Sequence, residues 1–294
     1  MEYRHVSLSV RRCQVAIQAS VRSVGPSSFI FTLYGDFVHH RPEPADRSLW
    51  IGSVIELMGC LHVSQAAVRQ AVSRMARQGW LIPERRAKRA FYRVTAHGQR
   101  RIEGLSPRIY GPIVEWDGRW RMLTYRVSES GRKRRDRLRK DLTVLGWAPL
   151  SASTWISPSD ALDDAREAAQ ANGAGGEIAL FSALYQGPRS DRALLDACWD
   201  LAGIAAAYDA FEAAYRPRLE AASSGLDDEG AFVERMHLVH DFRKFTYIDP
   251  GLPSVLLPAA WSGSSAAALF RRYYAALKVR SDRFFERVAA RQTI

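Results

Sequence analysis

The sequence predicts an α+β protein of several domains, and three observations carry that expectation. Apolar residues recur at three- and four-residue steps over Leu49–Leu61 and Ala67–Met75, then give way to β-prone runs at Trp80–Pro83 and Ala90–Val94. Strand-like and helical stretches alternate between Gly118 and Gly187. From Ser190 onward, segments rich in Ala, Leu and aromatic residues read as helical. The expected divisions are an arm at 1–26, either unstructured or a mis-assigned start, followed by domains at 27–112, 113–189 and 190–294.

The second of the early helices is the most specific element. In "SQAAVRQAVSRMARQGW", Ala67, Val68, Ala71, Val72 and Met75 share one face, and Trp80 follows. Gln65, Arg69, Gln70, Ser73, Arg74 and Arg77 occupy the other, with no acid among them. Ser64 is placed to cap the orphan N–H groups, and Gly79 to end the helix. Upstream, "SLWIGSVIELMGCLHV" puts Leu49, Trp50, Val54, Leu57, Met58 and Leu61 at helical spacing, with a short turn at Cys60–Val63. Downstream, the two β-prone runs flank the basic tip "ERRAKR", and Thr95 is placed to cap a further helix. Helix, turn, helix and basic-tipped hairpin is the order of a winged helix-turn-helix.

Charge agrees with that order. The chain of 294 residues carries a formal +11, and residues 41–101 alone hold 12 basic against 4 acidic side chains. A local excess on a folded segment is the electrostatic footprint of nucleic-acid binding. Arg and Gln suit base edges in a major groove, while hairpin cations suit phosphates or the minor groove. The candidate DNA-contacting residues are therefore Ser64, Gln65, Arg69, Gln70, Ser73 and Arg74 on the helix, with Arg85, Arg86, Lys88 and Arg89 on the wing. Arg69, in the first turns of the exposed face, is the strongest base reader. The competing explanation, a merely solvated charged face, is weakened because cap, turn, wing and charge all coincide.

The middle stretch reads strand "GRWRMLTYRVSE", basic helix "RKRRDRLRKDLTVLGW", strand "APLSASTWIS", helix "DALDDAREAAQANG" and strand "EIALFSALYQG", which suggests a ferredoxin-like domain. Its basic helix is read equally as a DNA-backbone contact and as a solvated face. The helical C-terminal domain comprises Asp191–Leu219, Asp228–Lys244 and Ser264–Ala290, with a proline-rigid excursion at His240–Gly263.

Other function classes are excluded by simple counts. No run of about 18 apolar residues would cross a membrane, and the start lacks the apolar core of a secretory signal. Cys13, Cys60 and Cys198 are odd in number and far apart, which points to a reducing cytoplasm rather than a disulfide framework. No Ser-His-Asp order, Gly-rich phosphate loop or Cys-x-x-Cys pair is present. His237 and His240 lie three apart beside Asp241 but lack further ligands, and Cys60 with His62 falls at a helix end, so neither metal nor cofactor is expected.

Five segments resemble the PaaX family of phenylacetic-acid-catabolism repressors. They are "SSFIFTLYGDFV", "SQAAVRQAVSRMARQGWL", "WRMLTYRVSE", "LGWAPLSASTWISP" and, most distinctively, "HDFRKFTYIDPGLPSVLLPAAWSG". The resemblance runs from about residue 27 to the C-terminus. It implies a homodimeric repressor of an aromatic-acid catabolic operon. Double-stranded operator DNA is its partner, and an aryl-CoA thioester such as phenylacetyl-CoA is the inducer that releases it. It also implies that the central domain is similar to CRISPR-associated ferredoxin-like endoribonucleases, where an aspartate ends the first strand. Here Tyr125 and Arg126 stand in that neighbourhood, and a guanidinium repels a divalent cation. The expectation is therefore no enzyme. The rival readings are a nucleic-acid-processing enzyme built on the central domain and a ligand-independent DNA-binding protein.

A thioester needs cations for its phosphates and an apolar slot for its aryl group. The proline-rigid excursion offers Arg243 and Lys244 for the first, Tyr247 and Trp261 for the second, and His240 for the thioester carbonyl. The alternative for the same residues is a packing clip with Trp261 as a buried anchor, and the two stand level.

Overall fold

In the computed structural model the described residues are 25–43, 47–111, 115–126, 131–222 and 225–290, so the expected arm lies outside them up to residue 24. Contacts sort the chain into two compact units. The first takes its described residues from 22–111, 208–244 and 263–294, the second from 112–207 and 245–262.

The first unit opens with helix α1 (Pro26–Leu33), whose leading proline has no N–H to leave unsatisfied. It continues as a π-helical turn, Tyr34–Val38. Strand β1 (Ser48–Trp50), helices α2 (Ile51–Gly59) and α3 (Gln65–Arg77), strands β2 (Leu81–Arg86) and β3 (Arg89–Val94), and helix α4 (Ala96–Tyr110) follow. The three strands form an antiparallel sheet in the order β1-β3-β2. Here the structure corrects the expectation of helix from Leu49. Ser48 pairs with Arg93 and Trp50 with Phe91, so these residues supply the third strand, and the extended Trp50 sets the entry to α2. Apolar spacing over three residues fits either geometry, and the partner strand decides.

Next come the strands and helices of the second unit: β4 (Trp120–Tyr125), α5 (Arg132–Val144), β5 (Ala148–Pro149), β6 (Thr154–Ser157), α6 (Leu162–Ala171), β7 (Ile178–Ala183) and α7 (Asp191–Cys198). The sheet is antiparallel in the order β5-β6-β4-β7. The run "APLSASTWIS", expected as one strand, is two, because Leu150 and Ser151 donate to the Thr154 carbonyl at 2.8 and 3.1 Å and turn the chain. Leu123, Tyr125 and Trp155 from the sheet bury against Leu138 and Leu142 of α5 and Ala165 and Ala169 of α6. Each large apolar side chain so buried contributes about 1.5–3 kcal/mol.

Helix α8 (Leu201–Ala222) is separated from α7 by Trp199 and Asp200, where a single helix was expected. Trp199 is extended, and the Asp200 carboxylate accepts from the Gly203 N–H at 3.1 Å, starting a new helix. Then follow α9 (Asp228–Phe242), the short α10 (Phe245–Ile248) and α11 (Ser262–Ala290).

The core of the first unit joins residues far apart in sequence. Ile30, Leu33, Val54, Leu57, Met58, Val68, Ala71 and Val72 bury together with Phe232 and Met236 of α9 and with Phe284, Phe285 and Val288 of α11. Beside it sits a buried polar knot. Arg235 donates to Asp36 (Nε to Oδ2, 2.8 Å), to Ser281 and Asp282 (3.0 and 2.5 Å) and to the Tyr274 hydroxyl (2.8 Å). The hydroxyls of Tyr110 and Tyr274 donate to the other Asp36 oxygen at 2.8 and 2.9 Å. Burial works to lower the Arg235 pKa, but Asp36, Tyr274 and Asp282 overcome it and hold the guanidinium charged.

Candidate nucleic-acid interface

Helix α3 is held by its apolar face and leaves its polar face open. Val68, Ala71, Val72 and Met75 are buried, while Gln65, Arg69, Gln70, Ser73, Arg74 and Arg77 are exposed. The Ser64 hydroxyl accepts from the Ala67 N–H at 3.3 Å, which satisfies one orphan donor and fixes where the helix starts. Gly79 adopts φ +75°, and the Trp80 N–H closes back on the Met75 carbonyl at 2.9 Å, ending the helix. Thr95 caps α4 by accepting from the Gly98 N–H at 3.1 Å.

Not all six polar side chains of α3 are equally available. Arg69 has no polar partner among the described residues, whereas Arg74 donates from Nη2 to the Ser27 hydroxyl at 2.8 Å. Ser27, which the sequence did not single out, thereby orients one cation of the face.

The hairpin β2–β3 turns tightly, with Arg86 opposite Arg89 and Ala87 in a left-handed conformation at φ +53°. Its cations divide into two groups. Arg86 donates to the Ser48 hydroxyl at 2.8 Å and to Glu84 at 3.0 Å, and lies over the Phe91 ring. Arg89 lies over the Trp50 ring, 4.8 Å from its centroid. Arg85 and Lys88 are exposed, with no ion pair among the described residues. Glu84 is the acid of the wing and is ion-paired to Arg93 and Arg86. Burial pushes its carboxyl up, but hydrogen bonds and charge from those two arginines outweigh it and hold the group below the usual carboxylate range. The surface presented by α3 and the hairpin tip is cationic and amide-rich, shaped as a rod beside a ribbon. Those are the dimensions and donors that a major groove and flanking phosphates accept.

The five residues proposed for an effector divide between the two units. His240, Arg243 and Lys244 belong to the first unit, Tyr247 and Trp261 to the second. His240 is buried in the last turn of α9, stacked on Phe29 at 4.1 Å, with Nδ1 3.3 Å from the Thr32 hydroxyl. Burial, reinforced by the charges of Arg243 and Lys244, lowers its pKa to about 3 and keeps the ring neutral. Arg243, also buried, donates from Nε to Thr32 Oγ1 at 2.8 Å and from Nη2 to the Ser28 carbonyl at 3.1 Å and to the Ser28 hydroxyl. Lys244 is ion-paired to Asp241 at 2.5 Å, and Asp241 accepts from the Tyr215 hydroxyl at 2.7 Å. The contacts of His240 and Arg243 join the end of α9 to α1, and that of Asp241 joins it to α8.

In the second unit Trp261 is buried and Tyr247 half-buried. The Asp249 carboxylate accepts from the Gly251 N–H at 2.8 Å and shapes the turn around Pro250. Arg192 of α7 donates to the Leu256 carbonyl at 3.3 Å and to that of Leu257, binding the proline-rich stretch to the central fold.

At the end of β4, Tyr125 is buried with its hydroxyl donating to the Ala152 carbonyl at 3.0 Å, and Arg126 is exposed. No cluster of three or more His, Cys, Asp or Glu able to hold a metal occurs among the described residues, and none of their helices is long and apolar enough to cross a membrane.

Comparison with known proteins finds three family matches along the chain. Residues 25–98 match the PaaX-like protein family, 114–195 the PaaX protein central Cas2-like domain, and 199–287 the PaaX-like protein C-terminal domain. The chain is 32% identical over 268 residues to the transcriptional repressor PaaX of Escherichia coli (strain K12), covering 88% of this chain and 83% of that protein. In fold it is similar to an uncharacterised protein from Mycobacterium tuberculosis. The TM-score is 0.51 at 22% identity, over 80% of this chain and 90% of that one.

Proposed function

Because this chain belongs to the PaaX family, whose members are transcriptional repressors and not enzymes, we propose that it represses transcription by gripping operator DNA with a winged helix-turn-helix made by α2, α3 and the β2–β3 hairpin. The observation that carries the reading is the acid-free, exposed face of α3 bearing Gln65, Arg69, Gln70, Ser73, Arg74 and Arg77. Arg69 and Gln70 read base edges, while Arg85 and Lys88, together with the helix cap at Ser64, engage phosphates. Arg86 and Arg89 serve mainly to brace the hairpin, which their contacts to Ser48, Glu84, Phe91 and Trp50 support. The strand order of the second unit supports a ferredoxin-like scaffold, which in a homodimer would fix the separation of two DNA-reading helices.

The regulated genes are those of a phenylacetate-type catabolic operon in the cytoplasm, and an aryl-CoA thioester releases the repressor. Release requires that the thioester bind more tightly to a conformation with poorer operator affinity. The engagement of His240 and Arg243 with Ser28 and Thr32 favours the packing role for these two residues over ligand contact.

The test is binding of the purified protein to DNA from its own genomic neighbourhood, titrated with acyl-CoA thioesters. Arg69→Ala is expected to lose about 1–3 kcal/mol on operator and to relax preference at one position. Lys88→Ala should weaken all sequences alike and lower the salt slope by about one unit. Equal losses on operator and random DNA for Arg69→Ala would refute the assigned orientation of α3. Binding that no thioester alters would favour the ligand-independent alternative.

A further inference from the structure

An open-sided groove of about 930 Å³ lies within the first unit, between the C-terminal half of α8, the start of α9 and the middle of α11. Its lining is amphipathic. Leu219, Leu269 and Leu277 give it apolar walls, and Val279, 68% exposed, stands at its side. Arg216, Arg272, Arg280 and Arg283 also line it, against a single carboxylate, Glu220.

These guanidiniums are only partly engaged. Arg216 is ion-paired to Glu212, Arg280 donates to the Leu226 carbonyl at 2.8 Å, and Arg283 approaches Asp228 at 3.7 Å. Arg272 has no polar partner among the described residues. With Glu212, Glu220 and Asp228 nearby, the four cations still leave the trough with an excess of positive charge that an anion would offset. Guanidiniums bind phosphate and carboxylate oxygens through paired N–H donors, and the volume suits a sizeable small molecule.

We propose that this groove binds a small ligand carrying two or more phosphate-type groups joined to an apolar arm. Resting on the function proposed above, it is the seat of the thioester effector. A second copy of the chain is a poorer occupant, because a two-fold contact across this face would set the arginine cluster against its own image. The groove is also placed for regulation. Immediately after Arg283, α11 buries Phe284, Phe285 and Val288 in the core that holds α2 and α3, and the Ser53 hydroxyl donates to the Val288 carbonyl at 3.2 Å. Ligand drawn onto Arg280 and Arg283 therefore acts on the helical turn that continues into the core shared with α2 and α3.

The experiment uses the full chain with phenylacetyl-CoA, coenzyme A and pyrophosphate as probes. Calorimetry reads ligand affinity, fluorescence anisotropy reads DNA affinity, and sedimentation reads oligomeric state. Arg272→Glu should weaken phenylacetyl-CoA binding by about tenfold or more, as expected for loss of a charge-assisted contact. Ala276→Trp, filling the groove from its exposed side, should do the same, and Arg272→Lys should recover part of the affinity. DNA affinity without ligand should stay within about twofold for all three, since none contacts the α3 face. Thioester binding that both Arg272→Glu and Ala276→Trp leave intact would overturn the groove and leave the repressor function standing. Binding that is lost in the variants, with no DNA release in the wild type, would support the groove and defeat the effector reading. No binding of any probe by the wild type, or a changed oligomeric state in Arg272→Glu, would also overturn the proposal.

Discussion

Replacing Asp36 with asparagine should be among the most damaging single changes in the protein, although it removes no volume. Asp36 and Arg235 are each about 2% exposed at the side chain and meet at 2.8 Å. Asparagine leaves the guanidinium with Asp282, which is 38% exposed and so screened by solvent. It also turns an N–H group toward the Arg235 Nε–H, or else leaves the Tyr110 and Tyr274 hydroxyls without their acceptor. Breaking one partner of a buried ion pair typically costs about 3–5 kcal/mol. That is a large share of the roughly 5–15 kcal/mol that holds a domain folded. At about 2–4 °C per kcal/mol for a unit of this size, the unfolding midpoint should fall by about 6–20 °C. Urea unfolding followed by circular dichroism measures the loss directly. The paired substitution Asp36→Leu with Arg235→Met should lose less than either single change, because no uncompensated charge stays buried. A loss below about 1 kcal/mol for Asp36→Asn, or a double variant worse than the sum of its parts, would refute this account.

Gly146 has φ +87°, and a Cβ there would lie 2.9 Å from Pro250 Cβ and 3.0 Å from its carbonyl oxygen. Gly146→Ala should therefore cost more than the roughly 1–2 kcal/mol of a left-handed alanine, whereas Gly79→Ala, at φ +75° in open space, should cost only that; equal thermal shifts would remove the steric part. His240 gives a pH dependence of definite sign. Its folded pKa is lowered to about 3 by burial, so the unfolded chain binds the extra proton first as pH falls. Stability should be flat above the ordinary histidine pKa of about 6.5 and fall below it by up to about 1.4 kcal/mol per pH unit. His240→Gln should flatten that slope in urea titrations between about pH 7 and 5, and an unchanged slope would assign the proton elsewhere.

The parts of the fold legible in the sequence were those with local causes. Helix α3 announced itself through periodicity, an N-cap serine and a terminating glycine, all of which act within one or two turns. The strand at Ser48–Trp50 did not, because its identity depends on Arg93 and Phe91 some forty residues on. The break at Trp199–Asp200 was hidden inside a run of good helix formers, although Asp200 with Gly203 is a recognisable start signal. The packing partners of the proposed effector residues were hidden for a related reason. His240 and Arg243 look ligand-like beside a proline-rich stretch, but their partners Thr32 and Ser28 lie more than two hundred residues away. A local signal did exist for the groove: Ala268, Arg272, Ala276, Val279 and Arg283 follow one another at helical spacing on α11, a stripe of small, exposed and cationic positions.

The long-range core of the first unit also fixes when that unit can exist during synthesis. Val68 and Val72 of α3 belong to the same core as Phe284, Phe285 and Val288, more than two hundred residues downstream. At about 5–20 residues per second, a ribosome needs tens of seconds to cover that interval. Until then the nascent chain leaves part of that apolar core uncovered. A product cut short before α11 would carry the exposed cationic face of α3 without the part of the core that α11 supplies. Truncated chains should thus be less stable than the full chain and more open to proteolysis.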